Sequence, residues 1–545
     1  MLRSTFLGYK TATSALKVNQ NMMDVVGQNI SNINTKGYTR QRLDINSVSF
    51  STSNIKLGTT GVIIGQGVEA AGVSQFRDSF LDMRYRMAAA KTGSEYVQLE
   101  AFSDLESVLD EISKDGLDTQ FSDLLTQLHS LTSSPSDPVL EGVVRTSAQM
   151  LTQMFNDYSK QIDTIRNQQI SYLKDGAIVK VNQLTENIAK LNQQIREDNI
   201  SGNPALELND ERNMLIDELS NYLDIEVVLN PLNIGGGRTV DELSINLKLA
   251  DNKKVNIVNN KEFAKFKASV PIGETDVKVE LEKNIDNTIT TDAELNYLDL
   301  TDHIESGQLD GYIKFLNGKG EFIDSIDIDY KSKGVQYYQK MLDTLANKFA
   351  SDMNELNKKP ASYDTDENPV YDGNSEKNLF HARGGGNITA SNIKITDAWA
   401  NTTVSYITNT IIKPTGDSKG ATDNILRMIS KFQSKESFDI KKDVNEDGDV
   451  DDPDDKLSLF EGTFQEFLSF TTTRLNLQVG DTQTSYDTYL ESQHQLDYAR
   501  SSMSSVDLNE EGVNLLQYSK SYNAAARLMT TLDEMLDTLI NRMGV

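Results

Sequence analysis

The chain has no cysteine in its 545 residues, which excludes disulfides, thiol catalysis and cysteine-ligated zinc or iron–sulfur centres. Histidine is nearly as scarce. His129, His303, His381 and His494 lie scattered, with no HExxH and no pair at metal-ligand spacing. The glycine runs at 235–237 and 384–386 lack the Gly-Lys-Ser/Thr that a phosphate loop needs, and no G-x-S-x-G elbow is present, so an enzyme is not expected. Only nine prolines and one tryptophan, Trp399, appear, a composition suited to long uninterrupted helices. Positive charge is the minority sign, 53 Lys+Arg against 81 Asp+Glu for a net −28, and that excess repels phosphate backbones and anionic lipid. No apolar run approaches the ~20 residues that span a bilayer. The opening stretch MLRSTFLGYK has neither the apolar core nor the cleavage site of a secretory signal. Nucleic acid and membrane insertion are therefore both excluded as expectations, and the length calls for two to four domains.

What the chain does have is a matching helical heptad at each end. Leu2, Phe6, Tyr9, Thr13, Leu16, Gln20, Met23, Gly27 and Ile30 follow an alternating 4-3 spacing. Leu515, Tyr518, Tyr522, Ala525, Met529, Leu532, Leu536, Leu539 and Met543 do so more cleanly. Such a seam needs a partner helix, and two half-covered helices at opposite ends of one polypeptide most simply cover each other. The layout is that of a building block with a sticky rod at its base.

Between the ends, the first helix stops at 32–37, where Gly37 supplies a residue able to take positive φ. Extended segments follow from 38 to 73. Helical periodicity returns over 74–111, 117–131, 139–196 (with a hinge near Gly176) and 206–223, a bundle of long antiparallel helices. Residues 226–310 read as a β-rich surface insertion between turns. Helix resumes at 333–357, loops and short strands fill 359–420, and helix covers 421–434 and 456–503. The expected fold class is mainly α with a β-rich insertion: paired N- and C-terminal coiled-coil helices (1–40 plus 505–545), a long-helix bundle body (41–225 plus 311–504) and a small β domain (226–310).

The string Gly27-Gln28-Asn29-Ile30-Ser31-Asn32-Ile33-Asn34-Thr35-Lys36-Gly37-Tyr38-Thr39-Arg40-Gln41 resembles the N-terminal signature of bacterial flagellar rod, hook and hook-associated proteins. The tail from Ser505 through Leu515, Tyr518, Tyr522 and Leu536 resembles its C-terminal partner. Within that family, Arg40 and the stretch Leu208-Asn209-Asp210-Glu211-Arg212-Asn213-Met214-Leu215 point to the subunit between hook and filament. The resemblance implies a structural protein exported unfolded by the flagellar export apparatus, without a signal peptide, that folds outside the cell at the hook–filament junction. It implies lateral contacts with copies of itself, axial contacts with the hook protein and hook-associated protein 3, and a cytoplasmic export chaperone on the C-terminal helix. The terminal helices would build an inner tube and would be protease-sensitive in an isolated chain. Asn29, Asn32 and Asn34, ahead of Gly37, Tyr38 and Arg40, are read either as caps of the first helix or as contacts between subunits.

Residues 443–455 carry a second signal. Counted from Asp443, oxygen ligands fall at Asp443, Asn445, Asp447 and Asp451, with Gly448 at the sharp turn and the carbonyl of Asp449 between. This is the spacing of a Ca2+ loop. Asp454 replaces the usual glutamate, and Asp452 and Pro453 would start an exiting helix. A structural Ca2+ is expected there, against the plainer reading of an acidic solvated turn. Two alternatives to the junction reading stand: a hook or rod protein of the same axial family, and a calcium-dependent extracellular adhesive protein.

Overall fold

A computed structural model describes residues 5–48, 65–111, 116–235, 238–250, 253–282, 297–323, 332–373, 375–413, 419–441 and 456–538. The chain begins with helix α1 (Thr5–Ser31) and an antiparallel pair, β1 (Gln41–Ser47) and β2 (Val68–Gln75). Four long helices follow: α2 (Ser79–Glu111), α3 (Leu117–Leu131), α4 (Pro138–Ser171) and α5 (Ile178–Ser201), then α6 (Leu206–Tyr222). Their starts and stops follow from local chemistry. Asp137 caps α4 by accepting from Val139 N at 2.8 Å, with Pro138 at the first helical position, where its missing N–H costs nothing. Gly202 ends α5 in the left-handed region at φ +93, the region an L-residue with a Cβ avoids.

The hinge expected near Gly176 is one wide turn of π-helix, Tyr172–Ala177, with α-helical dihedrals on both sides. The helix is therefore continuous from Pro138 to Ser201. The extra residue of the wide turn rotates the apolar face. Before it, α4 packs against α2 and α3; after it, α5 packs against α6 and the sheets that follow.

Strands β3 (Ile225–Gly235), β4 (Arg238–Lys248), β5 (Lys254–Asn259) and β6 (Glu262–Phe263) form one antiparallel sheet in sequence order. Strands β7 (Lys265–Ser269), β8 (Lys278–Glu282) and β9 (Tyr297–Asp299) form another. Ile245, Ile257 and Val279 are fully buried in the same hydrophobic cluster as the helices, so the β segment is continuous in packing with the body. Asn182 of α5 stitches the join, its amide bonding Phe266 N at 2.7 Å and Phe266 O at 2.9 Å.

Helices α7 (Gln308–Asn317) and α8 (Val335–Leu356) return to the bundle, and short pairs β10 (Ser362–Tyr363) with β11 (Pro369–Val370) and β12 (Phe380–Ala382) with β13 (Ile393–Ile395) decorate the loops. The one-turn α9 (Asp397–Ala400) carries Trp399, whose indole N–H donates to the buried Glu141 carboxylate at 3.0 Å. After α10 (Asp423–Gln433), strands β14 (Glu436–Lys441) and β15 (Lys456–Gly462) pair antiparallel. Residues 456–462 are thus strand, where periodicity predicted helix. Leu457 and Leu459 alternate, and so short an apolar run serves a hairpin equally well.

The chain closes with α11 (Phe464–Ser504) and α12 (Leu508–Asp537). A capping box of Thr463 and Glu466 starts α11, and Asp507 caps α12 by accepting from Asn509 N at 2.7 Å. At the centre of the body Phe121 of α3 stacks on Phe464 (centroids 5.9 Å apart) and meets Phe155, Phe349 and Phe432 edge-on.

Candidate functional site

Helices α1 and α12 pack side by side and antiparallel. Near one end a Cβ placed on Gly8 would lie 3.3 Å from Leu532 Cδ1, and near the other Asn29 reaches Glu511. On α12 the expected seam is close to the covered one: Ala525 is buried and Tyr518, Tyr522, Met529, Leu532 and Leu536 are half-buried. Leu515 corrects it, since it stands 39% exposed. Leu2, Leu539 and the side chain of Phe6 lie outside the described residues.

On α1 the seam needs a larger correction. The buried positions are Ala12, Val18, Val26 and Asn29, while Leu16, Met23 and Ile30 are only half-buried and Tyr9 is 45% exposed. The physical reason is a second neighbour. The β1–β2 pair also lies along α1, with Ser14 Oγ accepting from Val68 N at 3.4 Å and Lys10 Nζ donating to Gln66 Oε1 at 3.1 Å. A helix covered from two sides turns a different line inward from one that serves a single coiled-coil partner.

Where α1 ends, the rod meets the body in a polar elbow. The buried Asn29 amide bonds the Gln41 backbone in both directions, accepting from its N–H and donating to its C=O, each at 2.9 Å. The side chain thereby acts as one rung of a β-ladder and ties α1 to the start of β1. The same amide accepts from Tyr38 Oη at 2.9 Å and donates to Glu511 Oε2 at 3.3 Å. Glu511, in the first turn of α12, also accepts from Arg40 Nε at 2.7 Å. The rest of the Arg40 guanidinium forks onto Glu510 with two bonds of 3.0 Å, the bidentate geometry that gives an ion pair its direction. Its backbone N–H donates to Ser504 O at 2.8 Å, at the end of α11. Burial works against the charge on Arg40, but its bonds to Glu510 and the field of Glu511 more than offset this and hold its pKa above the ordinary value.

The next layer fixes β1 to α6. Thr39 donates to Asp210 through both its hydroxyl (2.7 Å) and its N–H (3.0 Å), and Gln41 Nε2 reaches Glu207 Oε1 at 3.2 Å. Burial raises the Asp210 pKa and the Thr39 bonds oppose the rise. Burial, then Glu207, Asp210 and Glu511, push the Tyr38 hydroxyl up to about 12. Gly37 has φ +81, and a Cβ there would overlap Met214 Sδ of α6, so this glycine is needed for both dihedral and space.

Asp217 of α6 then ties Arg86 of α2, at 2.7 Å, to Arg500 of α11, and the Arg500 guanidinium lies 4.0 Å from the Tyr85 ring centroid. The buried Arg212 donates to two amide oxygens, Asn192 Oδ1 at 3.0 Å and Asn209 Oδ1 at 2.7 Å. Burial, with Arg77 and Arg86 adding to it, lowers its pKa to about 10.

The structure thus brings Asn29, Gly37, Tyr38 and Arg40 together. Asn32 makes local bonds, to Gln28 O at 3.0 Å and from Thr35 Oγ1 at 3.2 Å, which is capping. Asn34 is exposed. Glu510, Glu511, Thr39, Gln41 and Asp210 are the residues missed as a site. The signal available was an arginine in the N-terminal signature opposite two glutamates in the C-terminal one, but acidic residues in a first turn read equally as helix-dipole partners. The loop of Asp443, Asn445, Asp447, Asp449, Asp451 and Asp454 lies outside the described residues. The chain on its far side is strand β15 from Lys456, not the exiting helix expected. Among the described residues no group of His, Asp or Glu could hold a metal, and no helix is long and apolar enough to cross a membrane.

Comparisons with known proteins bear on this arrangement. Residues 10–39 match the flagella basal body rod protein family and residues 500–543 the flagellar basal body rod FlgEFG protein C-terminal family. These two segments meet at the elbow, and they define the class as an axial protein of the flagellum. Residues 102–380 match the family described as flagellar hook-associated protein FlgK helical domain. The chain belongs to the FlgK family, the hook-associated proteins of the hook–filament junction, and is a structural component of the flagellum. Flagellar hook-associated protein 1 of Bacillus subtilis strain 168 is 27% identical over 554 residues, covering 100% of this chain and 99% of that one. The Escherichia coli K12 protein of the same name is 28% identical over 218 residues, 40% of this chain and 38% of that one. A solved flagellar hook junction protein FlgK from Burkholderia pseudomallei aligns with a TM-score of 0.40 at 18% identity, over 55% of this chain and 46% of that one.

Proposed function

We propose that the chain joins hook to filament as a rigid adaptor, in which the α1–α12 rod packs into an inner tube and the elbow passes load from that tube to the body. The observation that carries this reading is the Arg40–Glu511–Asn29 network, which binds both helices of the rod, at their shared end, to β1 and to the end of α11. A hinge made of buried, mutually satisfied polar groups resists bending because every rotation leaves some of them unpaired. The rod is incomplete alone. Val513, Leu516, Leu528 and Met535 leave α12 with exposed apolar side chains, and copies of the same chain packed laterally would cover them. Hook protein on one side and hook-associated protein 3 on the other are the axial neighbours. A cytoplasmic chaperone covers α12 before export through the flagellar apparatus, and the subunit works outside the cell by shape and self-association, without catalysis.

Deleting the gene tests the junction role. Bare hooks under the electron microscope, with flagellin shed into the medium, are the expected phenotype, and truncating 515–545 should reproduce it. Normal filaments and normal swimming in the deletion strain would sink the reading.

We also propose that the loop at 443–455 holds Ca2+ and pins the β14–β15 hairpin. The support is its ligand spacing, with a dissociation constant on the order of 0.1–1 mM, as in extracellular modules. Calorimetric titration of the purified chain should show one such site, lost in the Asp443→Ala, Asp447→Ala double variant. Titration heats identical in wild type and variant would exclude it.

A further inference from the structure

The first three turns of α2 carry a stripe that neither the core nor the elbow uses. Phe80, Met83 and Met87 are 58%, 41% and 38% exposed, and their spacing of three and four sets them on one helix face. The other faces of the same turns are occupied. Arg86 points to Asp217 of α6, Asp82 pairs with Arg77, and Tyr85 packs under Arg500 of α11. The stripe therefore looks away from both neighbouring helices. Two flexible thioethers beside an aromatic ring make an adaptable contact surface, and so compact a group of large apolar side chains is more than the isolated exposure common on any surface.

We infer that this stripe is the surface through which the body of one subunit docks on a second copy of the chain, extending the lateral contact of the rod past the elbow. The inference rests on the lateral packing of copies proposed above. Continuity supports it. Phe76 donates its N–H to Arg40 O at 2.9 Å and lies beneath the Arg40 and Arg42 guanidinium groups, so the stripe starts one turn from the elbow. On the other side of the elbow α12 opens with exposed Leu508 and Val513. Charge supports it too. Arg84 sits 5.8 Å from the Phe80 ring centroid, and the exposed Lys91, one turn beyond Met87, reaches back over the Tyr489 ring of α11 at 5.4 Å, so the stripe is bordered by two cations on a chain of net charge −28. A second copy brings the acidic surface those cations favour. The contact is heterologous, stripe against a different face, which is the kind that closes into a ring.

Two measurements decide it, both on the full chain in its own bacterium. With a photo-crosslinking amino acid in place of Met87, irradiated flagella should yield an adduct of about twice the 60.7 kDa chain mass, composed of this chain alone. No adduct, or an adduct with a different flagellar protein, overturns the inference. The Met83→Asp, Met87→Asp double variant should keep the wild-type melting curve, since both side chains are exposed, yet weaken each lateral contact at least ~10-fold in its binding constant, read as a marked loss of cells with filaments. Wild-type filament numbers in this variant, beside bare hooks in the deletion strain, overturn the stripe alone. Filaments in the deletion strain overturn the junction reading beneath it.

Discussion

Arg40→Ala should free the rod from the body while leaving both folded. The Glu511 carboxylate is almost wholly buried and Arg40 is its cationic partner, so removal of the guanidinium strands a charge, at a cost of about 3–5 kcal/mol. The chain has a cheaper response than unfolding, which is to lift the first turn of α12 and hydrate Glu511. That movement breaks the bond from Arg40 N to Ser504 O and exposes the connection at 505–507. Hydrogen exchange at residue 40 and in β1 should therefore accelerate by about 100-fold, because opening free energy sets exchange protection, and proteolysis should cut at the connection. The amides of α3 and α8 should exchange as before. The rescue discriminates among causes. Glu511→Gln alone weakens the pair, whereas in the Arg40→Ala background it removes the stranded charge and should restore about half of the lost protection. Equal protection in wild type and Arg40→Ala would mean that the rod is held by its apolar seam, and the elbow would lose its mechanical role.

Phe121→Ala acts at the opposite end of the chemistry. Its ring contacts Phe155, Phe349, Phe432 and Phe464, one from each of four other helices or their caps, and is 1% exposed. Truncation deletes the apolar contacts and leaves a cavity that five elements must collapse to fill. The expected cost is about 3–5 kcal/mol, read as a lower urea midpoint for the body with little change in slope. Phe121→Leu should recover most of it. An unchanged midpoint for the alanine variant would place the centre of the core elsewhere.

Much of this architecture can be read from residue order, and the exceptions have causes. The helix at 117–131 was legible to the residue because Leu117, Phe121, Leu124, Leu128 and Leu131 keep one clean apolar face. The α12 seam was legible because one helix covers it. The α1 seam was not, since its burial depends on β2, a strand some forty residues beyond the helix. Asn29 announced itself by motif, but its role did not: a helix-end asparagine normally bonds locally, and only the fold carries Gln41 and Glu511 to its amide. The strand at 456–462 was lost to the ambiguity of short apolar runs. Arg212 stood in the sequence as part of a signature, while the two asparagine amides that hold it come from different helices.

The wide turn at Tyr172–Ala177 has a consequence for handling load. Pro138–Ser201 is one unbroken shaft, about 96 Å long at 1.5 Å per residue, keyed to helices at one end and to sheets at the other. The phase between those two keys, about 100° for a single residue, is set at this one place. Twist entering at the bundle is delivered to the sheets with no slack joint between them. An indel of one residue anywhere along the shaft would misalign the far key as surely as a damaged core, whereas gain or loss of a residue in the loops that flank it would go unnoticed.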